Sequence, residues 1–466
     1  MSGTLDSNAS RSLDRRITES GISGYCLMMR AARSAFDRLM VENPISVICV
    51  AGAGNNGGDA YGVAAFLMLS GIPVTVVSLA SSKGDALKAR HFYEDLGGLV
   101  LDRLPDTNQW HWTIDGILGT GCDRPPEGSI ADAITWINNS RSSGARVMSL
   151  DVPSGLNAST GEAFDPVVCA DVTVTFLAEK TGNLTGEGPA YAGLVHLEKL
   201  EPWDVQSEPL HTRLVTDAVI DLPRQKDTAH KGIRGSVLVV GGRHGMEGAG
   251  QLSGLAALRT GAGKVFWATD APQFDVPELI RIPWDIGSIV DCASRCQSVV
   301  VGPGLGNDAG DVIAALWDLD IPLVVDADAL NWLSQHKLSN RQSPWIGTPH
   351  PLEAKRLTGL PMTDRFSMLH ALEALYDATW VLKGAGTLIS GQPPWLNPVA
   401  NAALGTAGSG DVLAGIIASL WAQGSQRPAV TGVWLHANAF LKALAERGSD
   451  VIASDAVDRI GRIKTA

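Results

Sequence analysis

No apolar run in this 466-residue chain approaches the roughly 20 residues that span a bilayer, so no membrane-spanning segment is expected. Basic charge is scarce: 37 Lys and Arg stand against 49 Asp and Glu, a formal net charge of −12. That balance argues against a general nucleic-acid or membrane-surface binder, and no basic stripe with interleaved aromatics offsets it. An anionic ligand must then be held by local N–H groups and a few basic side chains. Cysteine is sparse too. Four of the six are isolated within or beside apolar stretches, and Cys292 and Cys296 sit four apart with no matching Cys or His cluster. Reduced, buried thiols and a cytoplasmic location are expected. The first 16 residues are polar, with Arg11, Arg15 and Arg16 but no apolar core, which argues against a signal peptide.

Glycine, by contrast, is abundant, and two glycine-rich loops each close on an aspartate. One reads Ala53-Gly54-Asn55-Asn56-Gly57-Gly58-Asp59, the other Gly405-Thr406-Ala407-Gly408-Ser409-Gly410-Asp411. Each leads into a helical pattern. A glycine-rich turn feeding a helix presents bare N–H groups and a positive dipole end, which suits phosphate. The aspartates should not meet phosphate without a cation between, so they are better suited to a proton, a hydroxyl or a metal.

The chain is too long for one ordinary core, and two or three domains are expected. Strand-like runs at 47–51, 74–79, 112–118, 147–151 and 172–176 alternate with helical patterns at 60–69, 83–96 and 130–138. Periodicity fades over 198–224, the expected linker. A new series opens with Lys231, Gly232 and Ile233. Strands are expected at 236–240, 264–268, 298–301, 323–326, 380–383 and 387–390, and helices at 248–260, 411–423 and 429–446. Both halves read as α/β layers around parallel sheets, with the informative residues just after strands, where open sheets of this kind place ligands.

In the first half, Asp115 precedes Gly119-Thr120-Gly121, Asp151 opens Asp151-Val152-Pro153-Ser154-Gly155, and Lys180 follows a third strand. Asp59, Asp115 and Asp151 at one strand edge would repel unless a cation or proton is shared. A hard cation held by Asp115, an amide oxygen such as that of Asn56 and oxygens near Ser154 would relieve this. Otherwise Asp115 and Asp151 are turn or capping residues. These segments, with Ala170-Asp171-Val172-Thr173-Val174-Thr175-Phe176, resemble the YjeF N-terminal family of NAD(P)H-hydrate epimerases. The resemblance implies a Rossmann-like domain over residues 1–215. It implies binding of the hydrated dinucleotide by Asn55, Asn56, Gly57, Gly58 and Asp59, by Gly119, Thr120, Gly121, Cys122, Asp123, Arg124 and Pro125, and by Asp151. It implies potassium on Asn56, Asp115 and Ser154, and Asp151 as acid/base. The chain departs from the family pattern at Ala60, usually glycine, and at Arg30, where a glutamate is usual.

In the second half the constellation is Gly302-Pro303-Gly304-Leu305-Gly306, Asp326-Ala327-Asp328, Thr348-Pro349-His350-Pro351-Leu352-Glu353, Lys383-Gly384-Ala385-Gly386-Thr387 and the loop ending at Asp411. A carboxylate at that helix start can accept a hydroxyl proton while nearby N–H groups stabilise a phosphoryl group in transfer; the plain alternative is an N-cap. Asp326 and Asp328 either serve magnesium or cap the following helix. The set resembles carbohydrate kinase-like NAD(P)H-hydrate dehydratases, a ribokinase-like branch, over residues 226–464. The resemblance implies dinucleotide contacts at Ala249, Gly306, His350 and Asp411, adenine-nucleotide contacts at Lys383, Gly384, Ala385, Gly386, Thr387 and Gly410, and Asp411 as catalytic base.

Two three-layer αβα domains are thus expected, Rossmann-like then ribokinase-like. Together they resemble fused bifunctional enzymes that repair hydrated NADH and NADPH (NADHX, NADPHX), with ADP and Mg2+ in the second domain, K+ in the first, and homo-oligomeric assembly. Two other readings remain open: an ATP-dependent kinase of a vitamin or sugar alcohol, and a first half that only senses nucleotide.

Overall fold

The computed structural model describes residues 2–106, 109–200, 208–223, 234–272, 276–336, 338, 340–362 and 364–463. The signal at Lys231, Gly232 and Ile233 and residues 201–207 and 224 of the expected linker lie outside them. The chain divides into two compact units, Met1–Arg213 and Leu214–Ala466.

The first unit runs β1 (Gly3–Leu5), α1 (Ser7–Glu19), α2 (Gly24–Met40), β2 (Val47–Ala51), α3 (Asn55–Leu69), β3 (Val74–Ser78), α4 (Gly84–Asp95), β4 (Leu99–Leu101), β5 (Trp112–Gly116), α5 (Ser129–Ser142), β6 (Arg146–Leu150), β7 (Val172–Phe176), β8 (Glu179–Lys180), α6 (Thr181–Leu184), α7 (Gly188–Tyr191), β9 (Leu194–Glu198) and β10 (Thr212–Leu214). Its 7-stranded sheet has the order β4-β3-β2-β5-β6-β7-β9 and is parallel throughout. Strands β2, β5 and β7 are buried along their whole length; β2 accordingly reads as an unbroken apolar run, while β5 and β7 also bury Thr113, Asp115, Thr173 and Thr175. Strand order reverses between β2 and β5, which opens a crevice beyond their carboxyl ends.

That crevice is narrow because glycine lets backbones touch. A Cβ on Gly52 would lie 2.0 Å from Ile117 O, and one on Gly57 would lie 2.0 Å from Gly52 O. Helix α3 therefore starts at Asn55, inside the glycine loop, and not at residue 60 as the pattern suggested. Ala60 fits where the family has glycine because it faces Gly116, which offers no side chain in return.

The second unit runs β11 (Ser236–Val240), α8 (Glu247–Thr260), β12 (Lys264–Ala268), β13 (Leu279–Ile282), α9 (Ile286–Ala293), β14 (Ser298–Val301), α10 (Gly310–Trp317), β15 (Leu323–Val325), α11 (Ala327–Gln335), β16 (Trp345–Gly347), α12 (Pro351–Thr358), α13 (Arg365–Leu375), β17 (Thr379–Leu382), β18 (Thr387–Ile389), β19 (Trp395–Asn397), α14 (Ser409–Ala422) and α15 (Pro428–Arg447). Parallel strands follow the order β13-β12-β11-β14-β15-β16-β17, continued by antiparallel β18 and β19. The reversal between β11 and β14 sets the second crevice. There a Cβ on Gly302 would lie 1.8 Å from Asp326 O, so only glycine lets the β14 and β15 ends close together. Helix α14 is buried on nearly all sides, which its apolar run requires.

The thiols are all unpaired, as expected, but not all are buried: Cys26 is exposed and Cys169 half-buried. Among the described residues no helix is long and apolar enough to cross a membrane.

Candidate active sites

Over the β2–β5 crevice lies a cavity of about 570 Å³, lined among others by Asn55, Asn56, Asp59, Gly119, Thr120, Gly121 and Asp151. Gly57 and Gly58 do not line it; they pack against Gly52, Met28 and Ala86. Nor do residues 122–125: Cys122 is buried, while Asp123, Arg124 and Pro125 are exposed away from the wall. Arg30 lies outside it as well, so the missing glutamate does not touch the cavity.

Asp151 directly follows β6 with φ +65°, a left-handed conformation that costs a non-glycine residue about 1–3 kcal/mol and is held by its surroundings. Its N–H donates to Val174 O at 2.7 Å and its C=O accepts from Asn183 Nδ2 at 3.0 Å. Its Oδ1 accepts from Thr175 Oγ1 and the Phe176 N–H, and lies 2.6 Å from Lys180 Nζ. Lys180 is buried, and its Nζ also donates to Phe176 O at 2.6 Å. β1 pairs with β8 on one side and β10 on the other, fixing the lysine's backbone. Asp59, buried on α3, is pushed well above the usual carboxyl range, first by burial and then by Asp151 and Asp14, with Lys180 opposing.

Crowded carboxyls at the strand edge were expected to be Asp59, Asp115 and Asp151. The structure corrects the set: Asp14 of α1 joins Asp59 and Asp151, and Lys180 supplies the positive charge. Asp115 sits behind the wall, fully buried in β5. Its Oδ2 accepts from Ser149 Oγ and the Ser154 N–H, and its Oδ1 from Ser154 Oγ at 2.6 Å and the Ile117 N–H. It is therefore no helix cap.

Around Asp115 the donor set suits a hard monovalent cation. Asn56 Nδ2 donates to Leu118 O at 2.7 Å, which turns Oδ1 away; that oxygen is buried without a partner. Asp115 has no basic partner within ion-pair reach among the described residues. Nor is any group of three His, Cys, Asp or Glu placed to hold a metal among them. Amide, hydroxyl and carbonyl oxygens beside one carboxylate fit an alkali ion better than a transition metal.

In the second crevice Gly408 is the N-cap of α14, at φ +83°. Asp411 is therefore the third helical residue and not the cap. Burial and then Asp326 push its carboxyl up to about 7, against the pull of Lys383. Lys383 Nζ lies 2.7 Å from Asp326 Oδ1 and 3.9 Å from Glu353 Oε2. Burial alone would lower this ammonium, but the two carboxylates outweigh it and it is raised. A side chain at Gly410 would meet Lys383 Nζ at 3.2 Å and Asp326 Oδ2 at 3.5 Å, so glycine keeps this spot open. Asp326 does not cap α11 with its side chain; it holds the lysine. Asp328 Oδ2 accepts from the Gly306 N–H at 2.8 Å.

His350 caps α12. Its Nδ1 accepts from the Leu352 and Glu353 N–H groups, and Glu353 reaches back to the His350 N–H. Burial and then Lys383 lower its pKa, and with Nδ1 accepting two N–H groups the neutral ring carries its proton on Nε2. Ala249 of α8 lies against Gly304, and Leu252 against Gly408, which brings α8 to the same crevice. Sequence reading missed two supports. Arg365, fully buried, donates to the carbonyls of Leu382, Lys383, Ala385 and Gly386, shaping the 383–387 loop. His436, lowered to about 4 by burial, meets Ser409 Oγ at 3.1 Å under the α14 start. Both act over long sequence separations and left no local signal.

Comparison with known proteins completes the picture. The family model described as NAD(P)H-hydrate dehydratase matches residues 237–462, and that of the YjeF-related protein N-terminus matches 24–182. The bifunctional NAD(P)H-hydrate repair enzyme of Coxiella burnetii is 36% identical over 482 residues, covering 96% of each chain. The chain belongs to the bifunctional NAD(P)H-hydrate repair enzyme family. The Escherichia coli member is 35% identical, covering 86% of this chain and 82% of its own. A ribokinase-like superfamily protein from Enterococcus faecalis superposes with TM-score 0.50 at 25% identity, covering 56% of this chain and 97% of its own. Both resemblances read from the sequence are therefore borne out at the level of family and fold.

Proposed function

We propose that residues 1–215 form an epimerase domain that interconverts the R and S forms of NADHX and NADPHX. Residues 226–464 would form the dehydratase that restores NAD(P)H from the S form, converting ADP to AMP and phosphate. One observation carries this reading: each crevice holds an aspartate facing a fixed lysine, Asp151 paired with Lys180 and Asp411 within charge reach of Lys383, which Asp326 holds. The family's own name supplies the substrate class.

In the second unit Asp411 takes the proton of the C6 hydroxyl as its oxygen attacks the terminal phosphoryl group of ADP. Phosphate, a far better leaving group than hydroxide, then departs with the C6–O electron pair, C5 gives up a proton to solvent, and the C5=C6 double bond returns. Lys383 and the 383–387 loop face the nucleotide, and His350, Gly306 and Ala249 the hydrated dinucleotide. Mg2+ bound with the ADP phosphates would neutralise their charge. The test is S-NADHX with ADP and Mg2+. Equal yields of NADH, AMP and phosphate support the reading; a stable phosphorylated product supports a small-molecule kinase instead.

In the first unit Asn56, Asp115 and Ser154 would hold K+, which supplies a counter-charge to Asp115. Replacing KCl by tetramethylammonium chloride at constant ionic strength is expected to lower the first unit's melting temperature by several degrees. Asn56→Ala should abolish that difference; a variant that keeps it in full contradicts the assignment. Cytoplasmic residence, supported by unpaired thiols, and homo-oligomeric assembly complete the proposal.

A further inference from the structure

We propose that Asp14 is the second acid–base residue of the epimerising site, working on the ring face opposite Asp151; the inference rests on the epimerase reading above. Helix α1 buries Ala9, Ser10, Leu13 and Ile17 along one stripe, and Asp14, one helical turn after Ser10, is exposed at its border. Asp14 opens into the cavity that Asp151 and Lys180 share, where solvent still reaches it through the mouth. Asp151 is clamped by Lys180, Thr175 and Phe176, whereas no hydrogen bond or ion pair ties Asp14 down among the described residues. The cavity thus holds one fixed carboxylate, Asp151, and two untied carboxyls, Asp14 and Asp59; Asp59 is buried and pushed well above the usual range, so Asp14 is the one that solvent reaches for proton exchange.

The other charged groups around it are Arg11, Asp59, Asp85, Asp151 and Lys180. Burial raises the Asp14 carboxyl to about 6, with Lys180 opposing and Asp151 adding. A fraction is thus still protonated near neutrality, which suits a proton donor.

Inversion at C6 requires chemistry on both faces of the ring. Asp14 in its acid form protonates the C6 hydroxyl. The C6–O bond breaks, its electron pair leaves with water, and the N1 lone pair forms an N1=C6 double bond. A water on the other face adds to C6, the π pair returns to N1, and the Asp151 carboxylate takes the surplus proton. One water leaves and one enters, and one proton passes from Asp14 to Asp151. The opposite inversion reverses the roles.

The test uses the full chain and a mixture of NADHX epimers without ADP, so that the second unit is idle. Interconversion is followed by chromatography. For Asp14→Asn, kcat is expected to fall about 100-fold or more with KM within about threefold. The wild-type rate should decline as pH rises through about 6, where the donor loses its proton. Asp14→Glu should restore part of the rate together with that alkaline decline, and inversion in 18O-water should place solvent oxygen on C6. A kcat within threefold of wild type in Asp14→Asn overturns the proposal, as does a loss confined to KM. If Asp14→Asn does not fold, a folded Asp14→Glu with wild-type rate and an unshifted pH profile overturns it. A wild-type chain that leaves the epimers untouched instead overturns the epimerase reading beneath it.

Discussion

Asp411→Asn is expected to lose about 10³-fold in S-NADHX dehydration while its second unit becomes more stable at pH 8. The two effects share one cause. The carboxyl is lifted to about 7 because burial and Asp326 disfavour its charge. Folding therefore favours the neutral form, and the stability contributed by that form is complete below the unfolded pKa of 3.8 and lost as pH rises through about 7. At roughly 1.4 kcal/mol per pH unit, less what residual solvent access screens, ionised Asp411 costs the fold about 2–4 kcal/mol at pH 8. Asparagine removes that cost and cannot accept the proton. Melting of wild type and variant at pH 4 and pH 8 checks this: the gap should open only at the higher pH. Wild-type turnover should rise with pH through about 7 as the base ionises. A variant less stable at both pH values would make Asp411 a structural residue.

Lys180→Met is expected to destabilise the first unit by about 3–5 kcal/mol and to abolish epimerisation. The lysine is 4% exposed and is the cation facing Asp14, Asp59 and Asp151 from β8. Methionine fills a similar volume but leaves the half-buried Asp151 without its partner and the buried Asp59 without an opposing charge, the costly way to break an ion pair. The double variant Lys180→Met/Asp151→Asn should recover most of the stability and none of the activity. Denaturant unfolding of the first unit, read as a double-mutant cycle, measures the coupling. Additive losses would mean that the 2.6 Å pair contributes little.

Much of this architecture was legible in the sequence. β2, β7, β11 and β14 are runs rich in β-branched and apolar residues between turn signals, and the glycine loops after β2 and β14 mark both crevices. Less legible was where helices begin. Gly57 and Gly58 are poor helix formers, so 55–59 reads as loop, yet they let the first turn of α3 rest on Gly52. Helix α1 was read only as a polar N-terminal stretch, and Asp14 with it. The Lys180–Asp151 and Arg365 contacts bridge 17 to 29 residues, a separation that only the sheet resolves. Asp411 was placed correctly at a helix start, but its rejection as a cap required the backbone of Gly408.

The central claim is that both units act in succession on one damaged dinucleotide. The most direct test follows absorbance at 340 nm for an epimer mixture of NADHX with ADP and Mg2+, against an enzyme-free control for spontaneous epimerisation. Complete recovery of NADH, well ahead of that control, is the predicted result. Recovery that stalls once the S form is consumed, or none with ADP, would contradict it.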